Sequence, residues 1–319
     1  MKKFLSIFGT IIIMAIIVFV CLGAYNYVID LEDEQNRVEQ DLSSHSVSTN
    51  PIFSLEDYPK VDASLATQPL TDAFIKNFTG TLPSEEELDY TNTHPGYVRL
   101  INDEVDLIVV TEPSEEELKL AEEAEVELEV IPVVKEGFVF YVNEKNPVKS
   151  LSLEQIQKIY TGEIKNWKEV GGNDSAIRAF QRPENSGSQT GMYSLVMKDK
   201  KIMQPPKEDL IETMFEIINL VSSYDNGENS IGYSYYYYAT TMYDDMDKEV
   251  ADRIRLLEVD GVAPNYETIK NDTYPLETAY YIVINKNEPK DSNTRKLVDA
   301  MLSTRGQAVA KEAGYVPVK

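Results

Sequence analysis

Short apolar runs of strand character alternate with longer amphipathic segments along most of this chain, and that alternation constrains the fold more than any other feature. "VDLIVV" (105–110) and "GFVFYVN" (137–143) are short, apolar and rich in β-branched or aromatic residues, the composition of buried strands. "PSEEELKLAEEAE" (113–125) and "SLEQIQKIYTG" (152–162) have helical character, each opened by a capping-type serine with an acid following. Further on, "SIGYSYYYYATTMY", "IRLLEVDG" and "AYYIVINK" continue the pattern, and "SNTRKLVDAMLSTRGQAVAKEAG" predicts one closing helix. Strands interleaved with helices indicate an α/β architecture. The 319 residues accommodate either two lobes or one large domain with a sizeable core.

The first part of the chain reads differently. Met1-Lys-Lys precedes an uncharged apolar run from Phe4 to Tyr25, and about 20 such residues suffice for a membrane-crossing helix. Lysines before the run and the acidic "DLEDEQNRVEQD" after it predict a transmembrane anchor over 1–25 with the rest of the chain outside the cell. The single cysteine, Cys21, offers lipoprotein anchoring as the alternative, but it follows Phe19-Val20 where a small residue is wanted, and the run exceeds a cleavable signal core. Residues 26–50, charged and then rich in Ser, Thr and Asn, read as a stalk, with the globular part beginning near Pro51. With no cysteine beyond position 21, disulfide frames and thiolate or zinc-cysteine chemistry are excluded from the globular part.

A net charge of -24, from 54 acids against 30 Lys and Arg, excludes nucleic acid and anionic lipid as electrostatic partners. The acidic clusters at Glu85–Asp89 and Glu115–Glu129 read as solvated faces. The tyrosine run 233–238 reads as core and hinge packing, with alternate rings directed inward and outward.

Four segments nevertheless have the composition of an oxyanion cradle. Ser64 in "VDASLATQPL" follows a short strand and precedes a helix; Thr93 in "TNTHPGYVRLI" stands at a predicted helix N-cap. Thr111 and Glu112 end the strand "VDLIVVTEP". In "FQRPENSGSQTGM", Arg182 precedes Ser186, Gly187, Ser188 and Gln189, which lead into the helical "TGMYSLVMKD". Helix N-termini carry unpaired N–H groups and a partial positive charge, hydroxyls add donors, and one arginine adds a charged fork. An anion can thus be held against an acidic global field. Catalysis fits poorly: of two histidines, His45 lies in the stalk, and no nucleophile elbow surrounds Ser186 for His94 to serve. Metal hydrolysis lacks a histidine-carboxylate cluster, and no calcium loop of the D-x-D-x-D-G type occurs. No enzyme activity, cofactor or metal is expected.

"YPKVDASLATQPL", "NPVKSLSLEQIQKIYTGEIKNWKEVGG", "AIRAFQRPENSGSQTGM" and "KEAGYVPV" together resemble the phosphate-binding proteins of bacterial ABC transporters, the PstS-like family in its Gram-positive branch, from about Tyr58 to the C-terminus. The resemblance implies a two-lobed, periplasmic-binding-protein-like (type II) α/β fold behind the N-terminal transmembrane helix. Residues 51–142 and 276–319 would form one lobe and 143–275 the other. It implies inorganic phosphate held between the lobes and delivered to ABC permease subunits. Ser64, the backbone at Leu65, and Thr93 would come from one side, and Arg182, Ser186, Gly187 and Ser188 from the other. Three departures stand out. Ala63-Ser64-Leu65 replaces the family's Gly-Ser-Thr; a long hydrophobic run replaces the usual lipid anchor; and Thr111, followed by Glu112, occupies the column where other branches place an aspartate. That aspartate accepts the proton of hydrogen phosphate and excludes sulfate. Only one of Thr111 and Glu112 is expected to face the cleft. Asp106, at the opposite end of the strand, is not a substitute, since ligands of open α/β sheets bind at the carboxyl ends. These departures motivate an alternative reading, a tethered anion sensor or surface interaction protein with a degenerate phosphate site.

Overall fold

The computed structural model describes residues 50–84, 87–223, 227–242, 250 and 252–319. The apolar run 4–25, Cys21, and the stalk up to residue 49 lie outside them. Among the described residues no helix is long and apolar enough to cross a membrane.

The described part begins with β1 (Val61–Ala63), a 3-10 turn over Leu65–Thr67 and α1 (Gln68–Thr79). Then follow α2 (Thr93–Ile101), β2 (Leu107–Val110), α3 (Glu115–Glu123) and the long β3 (Leu128–Asn143). Next come β4 (Ser150–Leu151), α4 (Leu153–Tyr160), β5 (Arg178–Ala179), α5 (Gly187–Gly191), α6 (Met214–Ser222) and β6 (Ser230–Tyr235). The last part contains β7 (Ile254–Leu256), β8 (Glu258–Val259), α7 (Tyr266–Lys270), β9 (Glu277–Asn285), α8 (Asn293–Leu302), α9 (Thr304–Glu312) and β10 (Val316–Pro317). The predicted helices at 115 and 153 form with reciprocal capping boxes, Ser114 with Glu117 and Ser152 with Gln155.

The main sheet runs β1-β2-β9-β3-β6-β5, with β10 and β7 also paired to β3. Strand β3 is the shared element. Leu128 to Gly137 pair antiparallel with β9, and Phe138 to Val142 pair antiparallel with β6. The ladder to β9 shifts register between Pro132 and Val134, where proline offers no N–H to the ladder. Parallel pairs β1/β2 and β5/β6 leave the carboxyl ends of β1 and β2, and the segment after β5, carrying the Ser64, Thr111 and Arg182 loops.

Three sequence expectations are corrected here. The closing helix is two helices, because Ser303 ends α8 in extended conformation (φ -69, ψ 163) and its side chain caps α9 by accepting from Gly306 N. A Cβ at Gly306 would lie 2.2 Å from the Met301 carbonyl oxygen, so the tight joint requires glycine. The tyrosine run does not alternate between core and solvent. Every residue of β6 is buried, and Tyr237 and Tyr238 beyond it are buried too, because both faces of this inner strand are covered. The acidic run 115–129 is not uniformly a solvated face. Glu117 is fully buried, accepts from Ser114 N at 2.7 Å, and lies 3.1 Å from His94 Nδ1. Burial pushes its carboxyl above the usual range, against the lowering effect of those bonds.

Candidate functional site

The carboxyl end of β1 carries Ser64, buried and in extended conformation, whose N–H donates to Val109 O at 3.1 Å. Its hydroxyl pairs with Thr67 Oγ1 at 3.0 Å, and Leu65 N donates to Asn92 Oδ1 at 3.4 Å. Thr93 proves to be the first residue of α2 rather than its cap. The cap is Asn92, at φ 129 and ψ 179, a backbone region that residues with a side chain rarely enter. Thr111 follows β2 with its carbonyl held by Tyr97 OH at 2.8 Å, while its hydroxyl oxygen is buried with no hydrogen-bond partner of acceptable geometry. The Tyr235 hydroxyl nearby donates instead to Gly187 O at 2.9 Å.

The opposite wall is built on α5. Ser186 caps it, accepting from Gln189 N at 3.3 Å, which leaves the N–H groups of Gly187 and Ser188 without helical acceptors. Arg182 is anchored through its backbone N–H, which donates to Tyr233 OH at 3.0 Å and Gln189 Oε1 at 3.2 Å. Tyr233 OH itself donates to Gln189 Oε1. The guanidinium donates from Nη2 to Glu212 O at 2.7 Å and from Nη1 to Ser188 Oγ at 3.4 Å. Its Nε is buried without a partner, and among the described residues no carboxylate forms an ion pair with it. Burial lowers the Arg182 pKa, and an arginine nonetheless remains charged at any physiological pH.

These two walls enclose a cavity of about 370 Å³. Ser64, Leu65, Thr93, Thr111, Arg182, Ser186, Gly187 and Ser188 all line it. Glu112 does not; its carboxylate accepts from Ser194 Oγ outside the lining. Successive side chains of extended backbone point to opposite sides, so placing Thr111 inward turns Glu112 away. Asp106 stays remote, accepting from Lys60 N at 2.7 Å at the other end of β2. The walls touch closely. A Cβ at Gly187 would sit 2.5 Å from Thr111 Oγ1 and 2.8 Å from Thr93 Oγ1. At the rim, Asn185 Nδ2 donates to Glu116 Oε2.

The sequence reading missed Asn92, His94, Glu184, Glu212, Met214 and Tyr235 as lining residues. Asn92 was signalled by its place before Thr-His-Pro, and Tyr235 only by a run attributed to packing. Chemically the cavity offers one guanidinium and several hydroxyls to a ligand. An unpaired buried donor costs about 1–3 kcal/mol, which an acceptor oxygen between Arg182 and Thr111 would recover.

A model described as PBP superfamily domain matches residues 60–304. The chain belongs to the PBP superfamily. Among relatives of this family member, the phosphate-binding protein PstS of Bacillus subtilis is 29% identical over 183 residues, 57% of this chain and 55% of that one. PstS of Borreliella burgdorferi is 27% identical over 191 residues, covering 58% of this chain and 64% of that protein. The chain thus spans less than two thirds of the length of these two relatives. In fold it is similar to an ABC-type phosphate transport receptor from Vibrio cholerae, with a TM-score of 0.60, 21% identity, and coverage of 80% of this chain and 98% of that one. The PstS-like resemblance read from the sequence is thus matched by PstS relatives, including one from a Gram-positive bacterium.

Proposed function

We propose that this chain is an extracellular solute-binding protein that captures inorganic phosphate between two lobes and delivers it to an ABC permease. The observation that carries this reading is Arg182. It is a half-buried guanidinium with no carboxylate partner among the described residues and a buried, orphaned Nε, set across a cavity from buried hydroxyls. A partly desolvated cation left without a counter-charge is costly, and an oxyanion offsets that cost with charge-assisted hydrogen bonds. Arg182 supplies the charge; Ser64, Thr93, Thr111 and Ser188 supply hydroxyls; Leu65, Ser186 and Gly187 shape the backbone around the ligand. Residues 51–142 with 276–319 form one lobe and 143–275 the other, hinged where β3 exchanges β9 for β6 as its partner. Closing them brings Gly187 onto Thr93 and Thr111, and the closed form is what a permease recognises. The N-terminal apolar run tethers the protein to the membrane. The names borne by the relatives from Bacillus subtilis and Borreliella burgdorferi point the same way. Calorimetric titration of the full chain with inorganic phosphate tests this. Micromolar or tighter binding, about -8 kcal/mol or better, is expected, with a loss of two orders of magnitude or more in Arg182→Ala. Absence of binding at millimolar phosphate refutes it.

A further inference from the structure

The buried part of the cavity wall carries no carboxylate. Ser64, Thr93, Thr111 and Ser188, at 6%, 6%, 3% and 3% exposure, and Tyr235 at 2% are its buried side chains with a polar group, and all five end in hydroxyls. The lining carboxylates, Glu184 and Glu212, belong to exposed residues. Other acids near the cavity are committed elsewhere. Glu112 accepts from Ser194 Oγ, and Glu117 is occupied by Ser114 N and His94. Thr111 occupies the decisive position, because its hydroxyl is buried beside Tyr235 with no hydrogen bond of acceptable geometry and is directed toward Gly187 at the closure of the two walls.

A carboxylate at that point could only accept. It would welcome a ligand oxygen that carries a proton and repel one that does not. A hydroxyl rotates to donate to an ionised oxygen or to accept from a protonated one. With Arg182 donating and hydroxyls adapting, nothing buried in the cavity reads whether the ligand bears a proton. We propose that the cleft takes tetrahedral oxyanions in either state, fully ionised sulfate as well as hydrogen phosphate, and that Thr111 sets this breadth. This inference rests on the solute-binding reading above. His94, Arg182, Tyr235, Glu184 and Glu212 are the remaining titratable groups of the lining, and none places a carboxylate in the buried part.

The test titrates the full chain with inorganic phosphate and, separately, with sulfate, for the natural sequence and for Thr111→Asp, Thr111→Val, Glu184→Gln and Glu212→Gln. The natural chain is expected to bind the two anions within about tenfold of each other, a difference below ~1.4 kcal/mol. Thr111→Asp is expected to keep phosphate and to weaken sulfate by about 100-fold or more, through like-charge repulsion in a desolvated site. Thr111→Val, which keeps the shape and folds if Asp does not, weakens both anions by a similar factor. Phosphate binding with sulfate rejected by the natural chain overturns the inference and leaves the solute-binding reading intact. A gain of sulfate binding in Glu184→Gln or Glu212→Gln also overturns it, by locating discrimination at the rim. Failure of both anions to bind removes the inference together with the reading beneath it.

Discussion

Replacing Gly187 by alanine separates the energetics of closure from those of folding. The residue lies outside the left-handed backbone region, so alanine brings no backbone strain and the effect is steric. Its methyl would stand 2.5 Å from Thr111 Oγ1, 2.8 Å from Thr93 Oγ1 and 3.2 Å from Thr111 Cγ2, where 3.4–4 Å is ordinary contact. The walls must therefore separate by roughly an ångström or distort, and overpacking of this kind costs about 1–3 kcal/mol. Because the clashing atoms belong to segments that the proposed hinge can move apart, the cost falls on the closed, ligand-holding state. Phosphate affinity should drop by roughly 5- to 150-fold, at 1.4 kcal/mol per decade. Calorimetry measures that loss, and a thermal melt of the ligand-free protein measures the alternative. Trp167, the sole tryptophan of the chain, is 1% exposed, with Nε1 donating to Asn229 O at 2.9 Å, so its emission reports unfolding. The ligand-free melting temperature should move by less than about 2 °C, the equivalent of about 0.5–1 kcal/mol at most. Unchanged affinity, or a ligand-free melting drop that accounts for the whole loss, refutes the assignment of Gly187 to the closing surface.

Other perturbations follow from the same physics. Gly306→Ala has the opposite signature: its Cβ would meet the Met301 carbonyl at 2.2 Å and Ala300 O at 2.3 Å, backbone atoms that no hinge relieves. It should lower the melting temperature, by about 2–4 °C per kcal/mol, and leave the affinity of the folded fraction unchanged; an unshifted melt contradicts this. Glu136 is buried beside the junction of β3 and β6, accepts from Gly137 N at 2.8 Å and Tyr237 N at 3.3 Å, and burial pushes its carboxyl up to about 8. The folded state holds that proton more tightly than the unfolded chain. Its contribution is therefore present in full below the unfolded value of about 4.5 and is lost as pH rises toward 8, by an amount on the order of a few kcal/mol. Urea unfolding across pH 5–8 should show that decline, and Glu136→Gln should flatten it; an unaltered slope in the variant would show that Glu136 is not its source. Asp106→Asn and Glu112→Gln should change phosphate affinity by no more than about threefold, under ~0.7 kcal/mol. A loss comparable to that of Arg182→Ala at either position would relocate the cleft.

The fold was legible in the sequence where local signals agreed, as at α3 and α4, whose serine caps and apolar spacing pointed to the same boundaries. It was misread where tertiary cover decided the outcome. The tyrosine strand looks half-exposed by alternation, but neighbours on both faces bury it, and a continuous helical pattern hid the break that Ser303 and Gly306 make. Eight of the nine named site residues line one cavity because each sat at a loop following a strand or opening a helix, a placement that sequence does encode. Of the pair of which only one was expected to face inward, Glu112 lies outside the lining, and composition does not say which of two adjacent residues turns inward. Asn92 and Tyr235 carried only indirect signals and the rim acids none, since their part in the cavity depends on how distant segments meet.

The most direct measurement is a crystal structure of the chain grown with phosphate. The account predicts a phosphate in the cavity with its oxygens about 2.7–3.1 Å from Arg182 Nε or Nη1 and from the Thr111 and Ser188 hydroxyls. A phosphate bound elsewhere, or a cavity that stays unliganded while Arg182 remains turned to the Glu212 carbonyl, would contradict it.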